Sequence, residues 1–187
     1  MSTLIGQRDR IAVEFKLEEV EPEYKRWIYG TMSLWAGGHR ISRHGRHDEV
    51  CTLTVALTTF PGQLRDAGNR IDPELMAMSA ETAFATLYDA IYECPEGRSD
   101  EEIDELSRKY KRFEVFSSGF EVFDGHHGFL IEDRLVGRLI WRASADKVIH
   151  EARIGAGEFD RVIDAFLTAL EKTSGQTRWN PKTDPFP

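Results

Sequence analysis

This sequence predicts an α+β fold: one domain, a mostly antiparallel β-sheet with about four helices packed on it. Two observations predict it. Segments with apolar residues at every second position cluster towards both ends, while the middle and the C-terminus carry apolar residues at helical spacing. Strands and helices segregated in this way, rather than alternating, favour an antiparallel sheet backed by helices. The 187 residues suit one domain, and eleven Phe, five Tyr and four Trp suffice to fill one core.

In chain order, the first strand expected is Ile11-Ala12-Val13-Glu14-Phe15-Lys16-Leu17, with Ile11, Val13, Phe15 and Leu17 on one face. An acidic loop, Glu18 to Glu23, follows. The next strand spans Trp27 to Ala36, with Trp27, Tyr29, Thr31, Ser33 and Trp35 opposite Ile28, Met32 and Leu34. Gly37-Gly38 then breaks it. Together the two strands form an opening antiparallel hairpin. The stretch Val50 to Leu64 mixes helical spacing (Leu53, Ala56, Leu57, Phe60, Leu64) with β-forming threonines. It leans towards a helix that ends or bends at Pro61.

Asp72 before Pro73 is a helix start, since proline at the first helical position loses no hydrogen bond. Phe84, Leu87, Tyr88 and Ile91 form the apolar stripe of that helix, and Pro95-Glu96-Gly97 ends it. Ser99 with Glu102 is a capping box opening a short helix whose buried side carries Ile103, Leu106 and Tyr110. From Phe113 the period returns to two. The strand candidates are Phe113/Val115, Phe120/Val122, Phe129/Ile131, Leu139/Trp141 and Val148, with turns at Gly119, Asp124-Gly125 and Ser144-Ala145-Asp146. Phe159, Val162, Ile163, Phe166, Leu167 and Leu170 define a last helix. The domain is expected to occupy residues 1–173 and a flexible tail residues 174–187.

Catalytic signatures are missing. Neither glycine-rich phosphate loop, nor a GxSxG elbow, nor an HExxH is present. His39, His44, His47 and Cys51, with Asp48, have ligand types suited to zinc, but Arg40, Arg43 and Arg46 are interleaved and repel a divalent ion. A metal-dependent hydrolase using this His39–Cys51 loop is therefore the rival reading, beside an exposed polar loop and an adaptor with no enzymatic role. No metal or cofactor is expected. His126-His127 suits an exposed hairpin turn, and as strand neighbours the two would face opposite ways. His150 lies in a strand pattern, surface or half-buried. Cys51 is expected in the core, and neither it nor Cys94 has the paired spacing of a disulfide framework.

Charge is more informative. The formal net charge is −8 and the pI about 5.3, which argues against nucleic-acid and anionic-membrane binding and suits a basic protein partner. Glu93, Glu96, Asp100, Glu101, Glu102, Asp104 and Glu105 place seven carboxylates within 13 residues. Asp100, Glu101, Glu102, Asp104 and Glu105 are the expected partner contacts, joined by Glu19 and Glu21 in the first acidic loop. No apolar run reaches the roughly 18–20 residues of a membrane helix, and the first ten residues lack a secretion-signal pattern, so the cytoplasm is the expected location.

Ile5-Gly6, Ile11 to Phe15 and Trp27-x-Tyr29-Gly30-x6-Gly37 together resemble the N-terminal signature of the immunity protein 42 family. Phe120-Glu121-Val122-Phe123-Asp124-Gly125, Phe129-Leu130-Ile131-Glu132, Arg138-Leu139-Ile140-Trp141 and the run from His150-Glu151 through Phe159 are similar to later family motifs. The resemblance spans residues 5–172 but not the Gly38–His47 loop. It implies a protein encoded beside a bacterial contact-dependent or other polymorphic toxin, which neutralises the toxin's C-terminal domain by binding it, without turnover. It further implies that Trp27, Tyr29, Trp35 and Trp141 define the fold rather than an active site.

Overall fold

The computed structural model describes residues 2–19, 27–42, 49–93, 99–116, 119–143 and 147–180. The fold is α+β, but the strands form two antiparallel sheets rather than one. The first has the order β1 (Thr3–Gly6), β2 (Ile11–Leu17), β3 (Tyr29–Ala36) and β4 (His39–Ile41), with β5 (Cys51–Thr52) also pairing β3. The second is a meander of β6 (His126–Glu132), β7 (Val136–Ala143) and β8 (His150–Gly155).

The expected hairpin is present. Val13 pairs with Leu34 and Phe15 with Met32, which puts Ile11, Val13, Phe15, Met32, Leu34 and Ala36 on one buried face. Gly37 and Gly38 have φ of 55° and 83°, so the turn into β4 uses backbone conformations that L side chains rarely adopt. On the outer face the Trp35 indole donates to Glu14 at 3.0 Å, with the guanidiniums of Arg8 and Arg40 over its ring.

Helix α5 (Glu158–Ser174) lies on the inner face of this sheet and buries Phe159, Val162, Ile163, Phe166, Leu167 and Leu170. Phe15 meets Phe166 edge-on at 5.2 Å. The second sheet is covered on both sides. Leu130, Leu139, Trp141, Ala152 and Ile154 join this core, while Phe129, Ile131 and Ile140 face a second core with Leu75, Phe84 and Leu87. Those last residues come from α2 (Pro73–Ala77) and α3 (Ala80–Tyr92), expected as one helix. Ser79 divides them. Its hydroxyl accepts from the Thr82 N–H and caps α3, just as Asp72 caps α2.

The ambiguous stretch resolves into β5, a 3-10 turn at Leu53–Val55 and α1 (Ala56–Leu64). Pro61 lies inside α1 rather than ending it. Lacking an N–H, Pro61 cannot bond the Leu57 carbonyl, and the Trp179 N–H donates to that oxygen instead, at 2.9 Å. The expected tail thus begins with a pinned segment. Arg178 bonds Asp164 at 2.6 Å and Glu171 at 2.8 Å on α5, while residues 181–187 lie outside the described residues. Phe113 and Phe120/Val122, expected in strands, stand in or beside 3-10 turns at Lys111–Phe113 and Glu121–Phe123. The Phe116 and Phe123 rings stack at 4.7 Å, and a Cβ on Gly128 would overlap Phe116, so only glycine fits there.

Arg70 ties these parts together. It is fully buried, and its Nη1 donates to both Asp160 oxygens at 2.9 and 3.0 Å. Its Nη2 bonds the Gln63 carbonyl at the end of α1, and its Nε the Arg112 carbonyl just after α4 (Asp100–Tyr110).

Candidate interaction surface

Helix α4 carries the densest charge, and its sequence dictates its position. Both halves of the capping box form: Ser99 Oγ accepts the Glu102 N–H at 3.3 Å, and Glu102 Oε2 accepts the Ser99 N–H at 2.9 Å. Asp100, Glu101 and Glu102 occupy the first turn, Arg108 and Lys109 the last, each sign opposing the helix dipole at its end. All five carboxylates, Asp104 and Glu105 included, are exposed. Ile103, Leu106 and Tyr110 are only half-buried, so α4 lies on the molecule's surface. A shallow groove of about 330 Å³ is lined by Glu102, Glu105, Leu106 and Lys109.

The other expected contacts are elsewhere. Glu19 is exposed at the end of β2, beside Glu18, which pairs with Lys16 at 2.6 Å. Glu21 lies outside the described residues. The five carboxylates are exposed on α4, which packs on α3 and the turn after it, whereas Glu19 belongs to the β2–β3 end of the first sheet.

The two described members of the histidine loop, His39 and Cys51, lie apart. His39 pairs with Ala36 and Cys51 with Gly30, six residues apart on β3, or roughly 20 Å at the rise of a strand. Cys51 is buried, its Sγ 3.3 Å from the Gly30 carbonyl. His39 contacts Trp141 and His150, the latter half-buried and stacked on Trp141 at 5.3 Å. His44, His47 and Asp48 lie outside the described residues. Among the described residues no group of three or more His, Cys, Asp or Glu side chains is placed to hold a metal ion.

His126 and His127 are half-buried in β6 rather than exposed in a turn. The His126 Nε2 is 3.0 Å from the Ser42 carbonyl, while His127 packs on Tyr88 and Tyr92. Burial lowers the His127 pKa, with Arg142 and His126 adding to the effect. Next to it, burial pushes Glu114 up to about 7. Glu114 accepts the Tyr92 hydroxyl and pairs with Lys111 at 2.5 Å. This aromatic–carboxylate ladder went unseen because its members come from α3, the 3-10 turn and β6, without local spacing.

Trp27 differs from Trp141 in exposure. It is 41% exposed, unlike Trp141 at 3%. It lines a groove of about 540 Å³ with Glu18, Tyr29 and the end of α5.

A family model described as "Immunity protein 42" matches residues 1–169. The fold is similar to the crystal structure of CdiI from Burkholderia dolosa AUO158, with a TM-score of 0.62 over 89% of this chain and 99% of that one. Sequence identity there is 19%, so the likeness is one of fold. No curated protein matches this sequence.

Proposed function

The chain belongs to the immunity protein 42 family, and on that premise we propose that it binds and neutralises the C-terminal domain of a cognate bacterial toxin. The family match over residues 1–169 carries this reading. The fold shared with CdiI from Burkholderia dolosa supports a contact-dependent inhibition system or a related polymorphic toxin system. The protein acts in the cytoplasm by steric and electrostatic occlusion, with no turnover. A net charge of −8 suits a nuclease-type toxin, whose basic cleft would be drawn to it.

The α4 face supplies contacts through Asp100, Glu101, Glu102, Asp104 and Glu105, exposed and held in place by the capping box. Glu19 and Glu21 contribute a second acidic contact from the first loop. Cells co-expressing this chain should survive expression of the toxin domain encoded beside it, and unprotected cells should die. Failure to protect would refute the neutralisation reading. The paired change Glu101→Lys with Glu105→Lys should slow association about tenfold at low salt and flatten its salt dependence. Unaltered kinetics would remove α4 from the interface.

A further inference from the structure

Trp27 lines a groove together with Leu17, Glu18 and Tyr29. Leu17 pairs with Gly30, and the Glu18 N–H donates to the Tyr29 carbonyl at 2.9 Å, which sets Glu18 across from Tyr29 where both line the groove. Trp27 stands two residues before Tyr29 on the same wall of a groove of about 540 Å³. The opposite wall is the end of α5, at Ser174 and Gly175. Gly175 adopts φ 72° and returns its N–H to the Glu171 carbonyl, which terminates the 17-residue helix there.

Three independent features favour the same ligand. Glu18 brings an acidic side chain to the groove, and exposed Glu19 adjoins it. The C-terminal end of a helix presents roughly half a negative charge. Aromatic faces such as those of Trp27 and Tyr29 attract cations. Leu17 adds an apolar surface for an aliphatic stem. Glu18 already pairs with Lys16, but neither side chain is buried, at 36% and 45% exposed, and such a pair exchanges at little cost.

We propose that this groove is the anchor site for a basic side chain of the toxin domain, arginine in preference to lysine. A planar guanidinium can lie on an aromatic face while its N–H groups bond a carboxylate. The inference rests on the neutralisation reading and adds to it the place and chemistry of one contact.

The test uses the full chain and the toxin domain encoded beside it, with affinity measured by calorimetry for Trp27→Ala, Trp27→Phe and Glu18→Gln. Loss of a buried tryptophan anchor should weaken binding about 30-fold or more, with Trp27→Phe retaining most of the affinity. Glu18→Gln should weaken it about fivefold and reduce its salt dependence. Truncating one arginine or lysine of the toxin should cause a loss that is not additive with Trp27→Ala. Should Trp27→Ala lower the melting temperature, the isosteric and exposed Glu18→Gln carries the test. Tight binding by the wild type with both Trp27→Ala and Glu18→Gln within twofold would overturn the groove and leave neutralisation standing. No binding by the wild type would overturn both.

Discussion

Replacing Arg70 by methionine removes the charge that three parts of the fold share. Asp160, 8% exposed, and Glu132, 4% exposed, would then lie buried without their nearest cation. The carbonyls of Gln63 and Arg112 would each lose a donor, at 2.6 and 3.1 Å respectively. Breaking a buried ion pair by removing one partner typically costs about 3–5 kcal/mol, and an orphaned buried acceptor about 1–3 more, though such losses are not additive. A total of about 5 kcal/mol is expected, comparable with the whole stability of a small domain. Urea unfolding at pH 7 checks it. With a slope of about 2 kcal/mol per molar, the midpoint should fall by about 2.5 M. Adding Asp160→Asn removes the orphaned charge and should recover about 2 kcal/mol. A loss below about 1 kcal/mol for Arg70→Met, or no recovery in the double variant, would refute the reasoning. On the proposed reading of α4 as a contact surface the loss extends to toxin binding, because Arg70 bonds the Arg112 carbonyl just after that helix.

Glu114 gives the stability a pH dependence of unusual sign. Its pKa rises from 4.5 to about 7 on folding, so the folded state holds the proton more tightly. The stability it confers is complete below about pH 4.5 and is lost as pH rises through about 7, by about 3 kcal/mol at most. Glu114→Gln should abolish this slope in urea midpoints compared at pH 5 and pH 8, and equal slopes for both proteins would contradict the assignment. Truncation after Ser174 removes the Arg178 bonds to Asp164 and Glu171 and the Trp179 N–H from the Leu57 carbonyl. It should lower stability by about 1–2 kcal/mol, and an unchanged melting temperature would show that this segment contributes no stability.

How far the sequence discloses the fold depends on how local each signal is. Period two marks Ile11 to Leu17 as a strand, and the serine–glutamate pair at Ser99 and Glu102 marks a helix start, because both patterns lie within a few residues. The division into two sheets leaves no such mark, since alternation is the same whichever sheet a strand joins. Phe120 and Val122 alternate like strand residues, yet a core crowded with aromatic rings is met equally well by a 3-10 turn. Ser79 carries no start signal as plain as Asp72-Pro73, yet its hydroxyl caps a new helix.

The same holds for the candidate surfaces. The α4 patch was legible because its carboxylates are neighbours in the chain. The Trp27 groove was not, because part of its lining comes from Ser174 and Gly175, well over 100 residues away in the sequence. Arg70, a lone arginine in an ordinary loop segment, has no signature until Asp160, Gln63 and Arg112 are folded around it.

Neutralisation by direct binding is most directly tested by titrating the purified chain with the purified toxin domain encoded beside it, at two salt concentrations. A one-to-one complex with a dissociation constant of about 1 nM or below, weakening at higher salt, is the predicted result. No heat of binding and no co-elution at micromolar concentrations would contradict it.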